Sequence, residues 1–232
     1  RGLGDVYKRQ IGKLGESARA FVNFLVESGT KVWQILPLSP TSYGDSPYQS
    51  FSVFAGNPFF IDFDRLISQG YLNHEDFKDI DWGEDPRRVD YAKIYKNTFI
   101  VLRCAFERFD CSDESFQQFC QRNEFWLPDY ALFMALKDAN DGKPWFSWDR
   151  TLAQHDEAAL EKAKTKYQQD IAFYSVLQYW FYEQWAELKI YSNQRGISIL
   201  GDIPIYVAYD SVEVWAHPEL FQLDKRRKPT CV

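Results

Sequence analysis

The clearest pattern in the chain is a helical segment that ends at glycine and leads directly into a short apolar run, and it occurs twice. Residues 16–28 place apolar side chains at spacings of three and four before Gly29, and residues 31–38 form the first apolar run. Residues 170–196 repeat the helical spacing over a longer stretch, and residues 197–207 form the second run. Short apolar runs are typical of strands buried on both faces, as in a parallel sheet covered by helices. The sequence therefore predicts an α/β fold with parallel strands and right-handed crossovers.

The stretch between these two units has a different pattern and predicts helices separated by polar turns. The segments with helical spacing or composition are 97–109, 111–123, 127–137 and 156–166. A turn at 140–148 carries Trp145, Phe146 and Trp148. These rings form either a platform for stacking sugars or a hydrophobic latch between helices, and of the two interpretations we prefer the latch.

The loop after the first predicted strand mixes neutral polar side chains with aromatic rings. Its polar members are Ser46, Tyr48, Gln49, Ser50, Ser52 and Asn57, and its rings include Tyr43, Phe51 and Phe54. Loops at the carboxyl ends of parallel strands build binding sites on a rigid scaffold. Sugars present apolar faces rimmed by hydroxyl groups, so this loop indicates a polyhydroxylated ligand.

The composition of the chain argues against some classes of binding partner and favours one. The net charge of -6 argues against nucleic acid, since binding phosphates needs clustered lysine and arginine. No apolar run approaches the roughly 18 residues of a membrane span, and no signal peptide is apparent, so we expect no membrane partner and a cytoplasmic location. Aromatic residues make up 18% of the chain, an excess that fits a carbohydrate-active protein.

No cofactor or metal is predicted. The four cysteines lack paired CxxC spacing, and we expect free, mostly structural thiols. The three histidines His74, His155 and His217 are isolated in the sequence from one another and from cysteine pairs, which indicates structural or surface roles.

Asp202 stands out because it interrupts the second apolar run. A carboxylate in apolar surroundings is costly unless it is paired or hydrogen-bonded. It is either a strand-end residue that binds backbone amides or a residue aimed into a site, and the sequence leaves both open. Asp210 and Ser211, in the following loop, are candidates to cap the next short helix.

Two blocks of the sequence closely resemble the 4-α-glucanotransferases, also called amylomaltases or disproportionating enzymes. They are ILPLSPTSYGDSPYQSFSVFAGNPFFID at 35–62 and GDIPIYVAYDSVEVWAHPELFQLD at 201–224. The segment IGKLGESARAFVNFL at 11–25 resembles the first barrel helix of that family, although a GIGDFG-like lead is usual there. The resemblance covers the chain from about Ile11 onward, and the YGDSPYQ loop is its most specific part.

The resemblance implies a partial (β/α)8 TIM barrel of the α-amylase superfamily with a large helical insertion after an early strand. It implies 11–59 and 167–232 as the N-terminal part of the catalytic barrel and 60–166 as the insertion, while 1–10 is expected to be an artefact or an unstructured start. The implied activity moves α-1,4-glucan segments between maltooligosaccharides or starch and glycogen chains by a retaining glycosyl-enzyme mechanism.

Carried over residue by residue, the resemblance implies substrate contacts for Ser46 and Tyr48 in donor subsites near the scissile bond. It implies a secondary glucan site at Tyr43, and for Asp202 a carboxylate that supports the site without attacking. For Asp45 and Gln49 we expect hydrogen bonds that fix the loop.

The chain also departs from the family. The nucleophilic aspartate, the acid/base glutamate and the third carboxylate lie in VRIDHFRG-like, AEDLG-like and HDN-like segments, and none of these strings is present. We therefore expect an N-terminal fragment that is inactive alone. The alternatives are a catalytically dead α-glucan-binding remnant and an α-amylase-type glycoside hydrolase.

Overall fold

A computed structural model of the protein describes residues 11–42, 46–83 and 90–230. The described residues form two compact units. The first takes them from Arg1–Leu36, Asn57–Phe116 and Val176–Asp202, and the second from Pro37–Gly56, Gln117–Ser175 and Ile203–Val232.

The regular elements of the described residues are helices and two short strands. In chain order they are α1 (Glu16–Glu27), β1 (Val32–Gln34), α2 (Phe63–Ser68), α3 (Tyr91–Phe106), α4 (Glu114–Arg122), α5 (Leu127–Ala139), α6 (Arg150–Ala153), α7 (Glu157–Lys166), α8 (Gln168–Gln194), β2 (Ser198–Leu200) and α9 (Val212–Ala216). Short 3-10 turns occur at Pro58–Phe60, His74–Asp76, Trp145–Ser147 and Pro218–Leu220.

The two strands of the first unit pair in parallel, as the sequence predicts. Val32 lies opposite Ser198 and Gln34 opposite Leu200, and the main-chain nitrogen of Ile35 extends the ladder by donating to the carbonyl of Leu200 at 2.9 Å. Parallel pairing places the carboxyl ends of β1 and β2 at the same edge of the sheet.

Both helices that precede the strands end where the sequence predicts, at a left-handed glycine. Gly29 follows α1 and Gly196 follows α8, each with φ of 74°. Glycine occupies this conformation without the steric cost that a side chain brings, so it ends the helix and redirects the chain into the strand.

The prediction that both strands are buried on both faces is wrong. One face packs: Trp33 of β1 and Ile197 join a cluster that includes Val22 and Leu25 of α1 and Leu188 of α8. On the other face, Val32 and Leu200 are 52% and 53% exposed. Side chains alternate along a strand, so the helices cover only every second residue, and no described element covers the rest.

Both strands are also shorter than predicted, at three residues each instead of 31–38 and 197–207. Pro37 and Pro204 carry no N–H for a ladder, which restricts extension beyond the paired segment. In the second unit, Ile203 and Ile205 are 85% and 91% exposed.

The helical predictions hold for the middle of the chain, with shifted boundaries. The helix expected at 97–109 begins earlier, at Tyr91, because the Asp90 carboxylate accepts from the main-chain nitrogen of Lys93 at 3.2 Å and caps that end. Asp156 caps α7 in the same way through Ala159, at 3.0 Å.

The core of the second unit is built from aromatic rings. Phe133 of α5 lies 5.3 Å from Trp148 and 5.6 Å from Trp215 of α9, measured between ring centroids. Trp145 is 2% exposed, and its indole N–H donates to the carbonyl of Tyr209 at 2.8 Å. Trp145 and Trp148 are therefore packed as the latch interpretation requires, whereas Phe146 remains 47% exposed.

No helix in the described ranges is long and apolar enough to cross a membrane.

Candidate functional site

The loop that carries the predicted substrate contacts is closed by main-chain hydrogen bonds within the second unit. Ser42 donates to the carbonyl of Gln49 at 3.0 Å, and the Gln49 nitrogen donates to the carbonyl of Ser46 at 3.1 Å. Thr41 and Ser50 form an antiparallel bridge beside this turn. The loop-fixing bonds predicted for Gln49 therefore involve its main chain.

Ser46 and Tyr48 lie together at the tip of this turn. The Ser46 hydroxyl accepts from the main-chain nitrogen of Tyr48 at 3.3 Å, an arrangement that sets the direction of the tyrosine. The Tyr48 side chain is 45% exposed, so part of its ring is open to a ligand. An exposed ring next to a hydroxyl group suits the face and rim of a sugar.

Behind the tip, Ser50 and Ser52 are buried and bind the protein instead of presenting polar groups to solvent. The Ser50 hydroxyl donates to the carbonyl of Ser52 at 2.7 Å. The Ser52 hydroxyl donates to Oε1 of Glu213 at 2.9 Å, and the Val53 nitrogen donates to the same oxygen at 2.8 Å. Glu213 of α9 thereby anchors the loop.

The carboxyl of Glu213 is held in surroundings that oppose its ionisation. Burial raises the pKa of Glu213 above its ordinary value, and the hydrogen bonds from Val53 and Ser52 only partly offset this effect. Its second oxygen, Oε2, is buried and has no hydrogen-bond partner.

Fewer polar residues of the loop are open to a ligand than the sequence predicts. Ser50, Ser52 and Asn57 are 8%, 1% and 3% exposed. Asn57, in the first unit, caps the turn that follows it by accepting from the main-chain nitrogen of Phe59 at 2.9 Å. Small polar residues in a loop serve its internal hydrogen bonds as readily as a ligand, and sequence does not separate the two uses.

A buried ion pair that the sequence does not predict lies beside the loop. Lys137 of α5 is 4% exposed at its side chain, and its Nζ lies 2.7 Å from Oδ2 of Asp210. The same Nζ donates to the carbonyl of Lys143 at 3.2 Å and lies 4.6 Å from the centre of the Phe51 ring. One cation thus joins the 140–148 turn, the loop after β2 and an aromatic residue of the polar loop.

Of the two residues predicted to cap α9, Ser211 is the cap and Asp210 is not. The Ser211 hydroxyl accepts from the main-chain nitrogen of Val214 at 3.4 Å and is the cap. Asp210 instead binds Lys137 and accepts from the main-chain nitrogen of Trp145 at 3.2 Å.

Asp202 follows β2 by two residues, at the carboxyl edge of the parallel pair, and is partly buried. It belongs to the first unit, whereas Ser46 and Tyr48 belong to the second. Tyr43 and Asp45 lie outside the described residues.

The histidines are less isolated than the sequence indicates. In the second unit, His155 packs on the Trp215 ring at 4.6 Å, and burial lowers the pKa of His155, an effect that the charge of Asp129 partly offsets. His217 lies 3.8 Å from Asp129. Within the described ranges, no three His, Cys, Asp or Glu side chains are grouped to hold a metal ion.

Comparison with known proteins identifies relatives along most of the chain. The family described as 4-alpha-glucanotransferase matches residues 6–228. The 4-alpha-glucanotransferase of Thermus thermophilus is 47% identical over 227 residues, which cover 96% of this chain and 44% of that protein. That of Clostridium butyricum is 45% identical over 219 residues, which cover 94% and 45%.

Solved structures agree with these matches. Amylomaltase from Streptococcus agalactiae in complex with acarbose is 46% identical with a TM-score of 0.90, over 94% of this chain and 45% of that one. Amylomaltase from Corynebacterium glutamicum, at 19% identity and a TM-score of 0.70 over 90% of this chain and 30% of that one, shares the fold. The chain spans about 45% of the length of the curated bacterial relatives named above.

Proposed function

Because the chain belongs to the 4-alpha-glucanotransferase family, we propose that a protein built on it transfers α-1,4-glucan segments between maltooligosaccharides or starch and glycogen chains. The observation that carries this proposal is the exposed tip of the polar loop. Ser46 and Tyr48 lie together there. Hydrogen bonds of the buried Ser50 and Ser52 side chains fix the loop segment behind them. A rigid loop that offers an open ring and a hydroxyl group positions a sugar at low entropic cost.

The proposed fold is the first part of a (β/α)8 barrel. The parallel pairing of β1 with β2 and the helices that precede each strand support it. Residues 11–59 and 167–232 supply the barrel in this proposal, and 60–166 supply a helical insertion.

The proposed chemistry proceeds with retention. One carboxylate attacks the anomeric carbon as the second carboxyl protonates the departing glycosidic oxygen, and the two lie about 5 Å apart. A hydroxyl group of an acceptor glucan then attacks the glycosyl-enzyme and returns a proton to the second carboxylate. The strings that would supply these carboxylates are absent from the 232 residues, so we propose that this chain alone does not break the bond.

The roles proposed for this chain concern binding and support. Ser46 and Tyr48 contact the donor glucan, and Tyr43 contributes to a secondary glucan site. Asp202 supports the reacting groups from the carboxyl edge of β2. The complex of the S. agalactiae relative with acarbose supports binding of the same class of compound. A cytoplasmic location stays a prediction from the sequence.

Incubation with maltotriose tests the proposal. A version of the protein that continues into the three carboxylate segments is expected to release glucose and form longer maltooligosaccharides, while the 232-residue chain forms neither. Longer products from the 232-residue chain would show that the chemistry does not depend on those segments. Free reducing ends without longer chains, from the extended version, would indicate a hydrolase.

Substitution at the loop tip tests the binding role. In the active version, Tyr48→Ala is expected to raise KM for maltotriose by about tenfold through the loss of a sugar-stacking ring. Tyr91→Ala is a matched control, because Tyr91 is 41% exposed against 45% for Tyr48 and lies on α3. Equal effects of the two substitutions would remove Tyr48 from the site.

A further inference from the structure

A cavity of about 490 Å³ lies in the second unit and has an aromatic wall, and no residue of the polar loop belongs to its described lining. Trp145, Phe146 and Trp148 form this wall. Trp145 and Trp148 are 2% and 6% exposed, so Phe146 provides most of the accessible ring surface. Phe146 is itself stacked on Tyr209, with ring centroids 4.8 Å apart and planes at 16°, which fixes its orientation. The cavity therefore offers one rigid, open aromatic ring.

The rest of the cavity lining is mainly cationic. Arg150 at the start of α6 and the run Lys225, Arg226 and Arg227 all face the cavity, and no carboxylate belongs to its described lining. The whole chain carries a net charge of -6, so this concentration of positive charge runs against the overall balance. A local cluster of cations raises the concentration of anions at its surface.

Two of these cations have side chains without a partner among the residues that the structure describes. Arg227 is engaged, because its guanidinium donates to the carbonyls of Ala153, Trp215 and Gln154 at 3.1, 3.0 and 2.8 Å. The side chains of Arg150 and Lys225 form no hydrogen bond or ion pair with any described residue. Arg227 thus holds the cavity in shape, while Arg150 and Lys225 remain available to an anion.

We propose that this cavity binds a hexose phosphate. A phosphate monoester carries nearly two negative charges at neutral pH and matches the free guanidinium and ammonium groups. A sugar ring needs one aromatic face, which Phe146 supplies, whereas a nucleotide base is held best between two. The side-chain amide of Gln154, which forms no hydrogen bond within the described residues, can both donate to and accept from sugar hydroxyls.

Isothermal titration of the purified protein with glucose 6-phosphate and glucose 1-phosphate tests the proposal, which does not depend on transfer activity. Binding of at least one is expected, and Arg150→Gln with Lys225→Gln is expected to weaken it by about tenfold or more. Phe146→Ala is expected to weaken binding of the hexose phosphate while leaving binding of orthophosphate unaffected. Arg150→Lys, which keeps the charge, is expected to restore part of the affinity lost in Arg150→Gln.

Arg122→Gln with Lys162→Gln is the matched control, since it removes the same two charges from exposed helical positions of the second unit. Equal weakening by this control would reduce the effect to net charge and overturn the proposal. Orthophosphate binding as tightly as the hexose phosphates, or adenosine monophosphate binding more tightly, would also overturn it. So would the absence of binding by both hexose phosphates, or equally tight binding of uncharged maltose.

Discussion

Lys137 and Asp210 form an ion pair of 2.7 Å in which the lysine side chain is 4% exposed and the aspartate 28%. Burying a cation so deeply is costly unless its partners replace the hydrogen bonds of water. Asp210 and the carbonyls of Gly142 and Lys143 do this for Lys137, at 2.7, 3.4 and 3.2 Å. The pair thereby ties the tryptophan-bearing turn to the loop that follows β2.

Removing one partner of this pair is expected to destabilise the second unit strongly. Lys137→Met keeps the aliphatic stem but leaves the Asp210 charge poorly compensated, so the free energy of unfolding should fall by about 3 kcal/mol. Lys137→Met with Asp210→Asn should lose less than the sum of the single changes. Urea unfolding measures all three variants.

Lys164→Met provides the comparison on the surface. Lys164 and Glu161 also form a pair of 2.7 Å, but their side chains are 50% and 65% exposed. The expected loss is below about 0.5 kcal/mol. If Lys137→Met and Lys164→Met lowered the free energy of unfolding by similar amounts, burial would not make the Lys137–Asp210 pair more important for stability.

Glu213 makes the stability of the loop dependent on pH. Burial raises its pKa in the folded state above the ordinary value of 4.5, so the folded state binds the proton more tightly. Its stabilising contribution is complete below pH 4.5 and is lost as pH rises through the folded pKa. Glu213→Gln keeps an acceptor for Val53 and Ser52 but does not titrate, so its stability relative to wild type should improve as pH rises.

Urea unfolding between pH 4 and pH 8 measures this difference. Glu157→Gln, at an exposed position in the first turn of α7, controls for the loss of one carboxylate. If the difference between Glu213→Gln and wild type did not change across this range, ionisation of Glu213 would not be linked to folding.

Asp76, in the first unit, makes stability depend on pH in the opposite direction from Glu213. The Arg108 guanidinium donates to both carboxylate oxygens, at 2.5 and 2.8 Å, and with the Asn73 nitrogen lowers the pKa of Asp76 to about 2. Because the folded pKa is lowered, the contribution to stability is present above the ordinary value of 3.8 and is lost as pH falls through about 2.

Asp76→Asn should therefore lower stability slightly at neutral pH, and the difference from wild type should shrink as pH falls from 4 to 2. Thermal unfolding followed by circular dichroism measures it. Asp79→Asn, at an exposed neighbouring position, is the control. A difference that stayed constant down to pH 2 would contradict the assignment.

Replacing the glycine that joins α8 to β2 tests how much the turn conformation matters. Gly196→Ala meets no atom within 4 Å, so its cost comes from the φ of 74° and is expected to be roughly 1 kcal/mol. Gly12→Ala also meets no atom within 4 Å and has no left-handed φ, so it should be neutral within about 0.5 kcal/mol. Chemical denaturation distinguishes the two, and equal costs would refute a conformational origin.

The helices that end at Gly29 and Gly196 could be predicted because their signals are local: apolar spacing followed by a residue that tolerates positive φ. The exposure of Val32 and Leu200 could not, because an apolar run shows that a strand has surface to bury without showing whether an element covers it.

In the polar loop, too, features set by neighbouring residues could be predicted and contacts with distant residues could not. Its turn-forming residues are evident in the sequence, but the use of Ser52 depends on Glu213, far along the chain. Lys137 carries no sequence signal at all, since it follows an apolar segment of α5 and its partner Asp210 comes from another loop. Partners that meet only through tertiary structure are not visible to periodicity.

The pairing of Val32 with Ser198 sets the order of assembly during synthesis. β1 leaves the ribosome before β2, and its ladder groups stay unpaired until Ser198 to Leu200 have emerged. Local helices can form in the interval, whereas pairing of β1 with β2 closes a long loop and carries a correspondingly large loop-closure entropy. A nascent chain stalled before residue 198 would display β1 as an open edge, a substrate for chaperones.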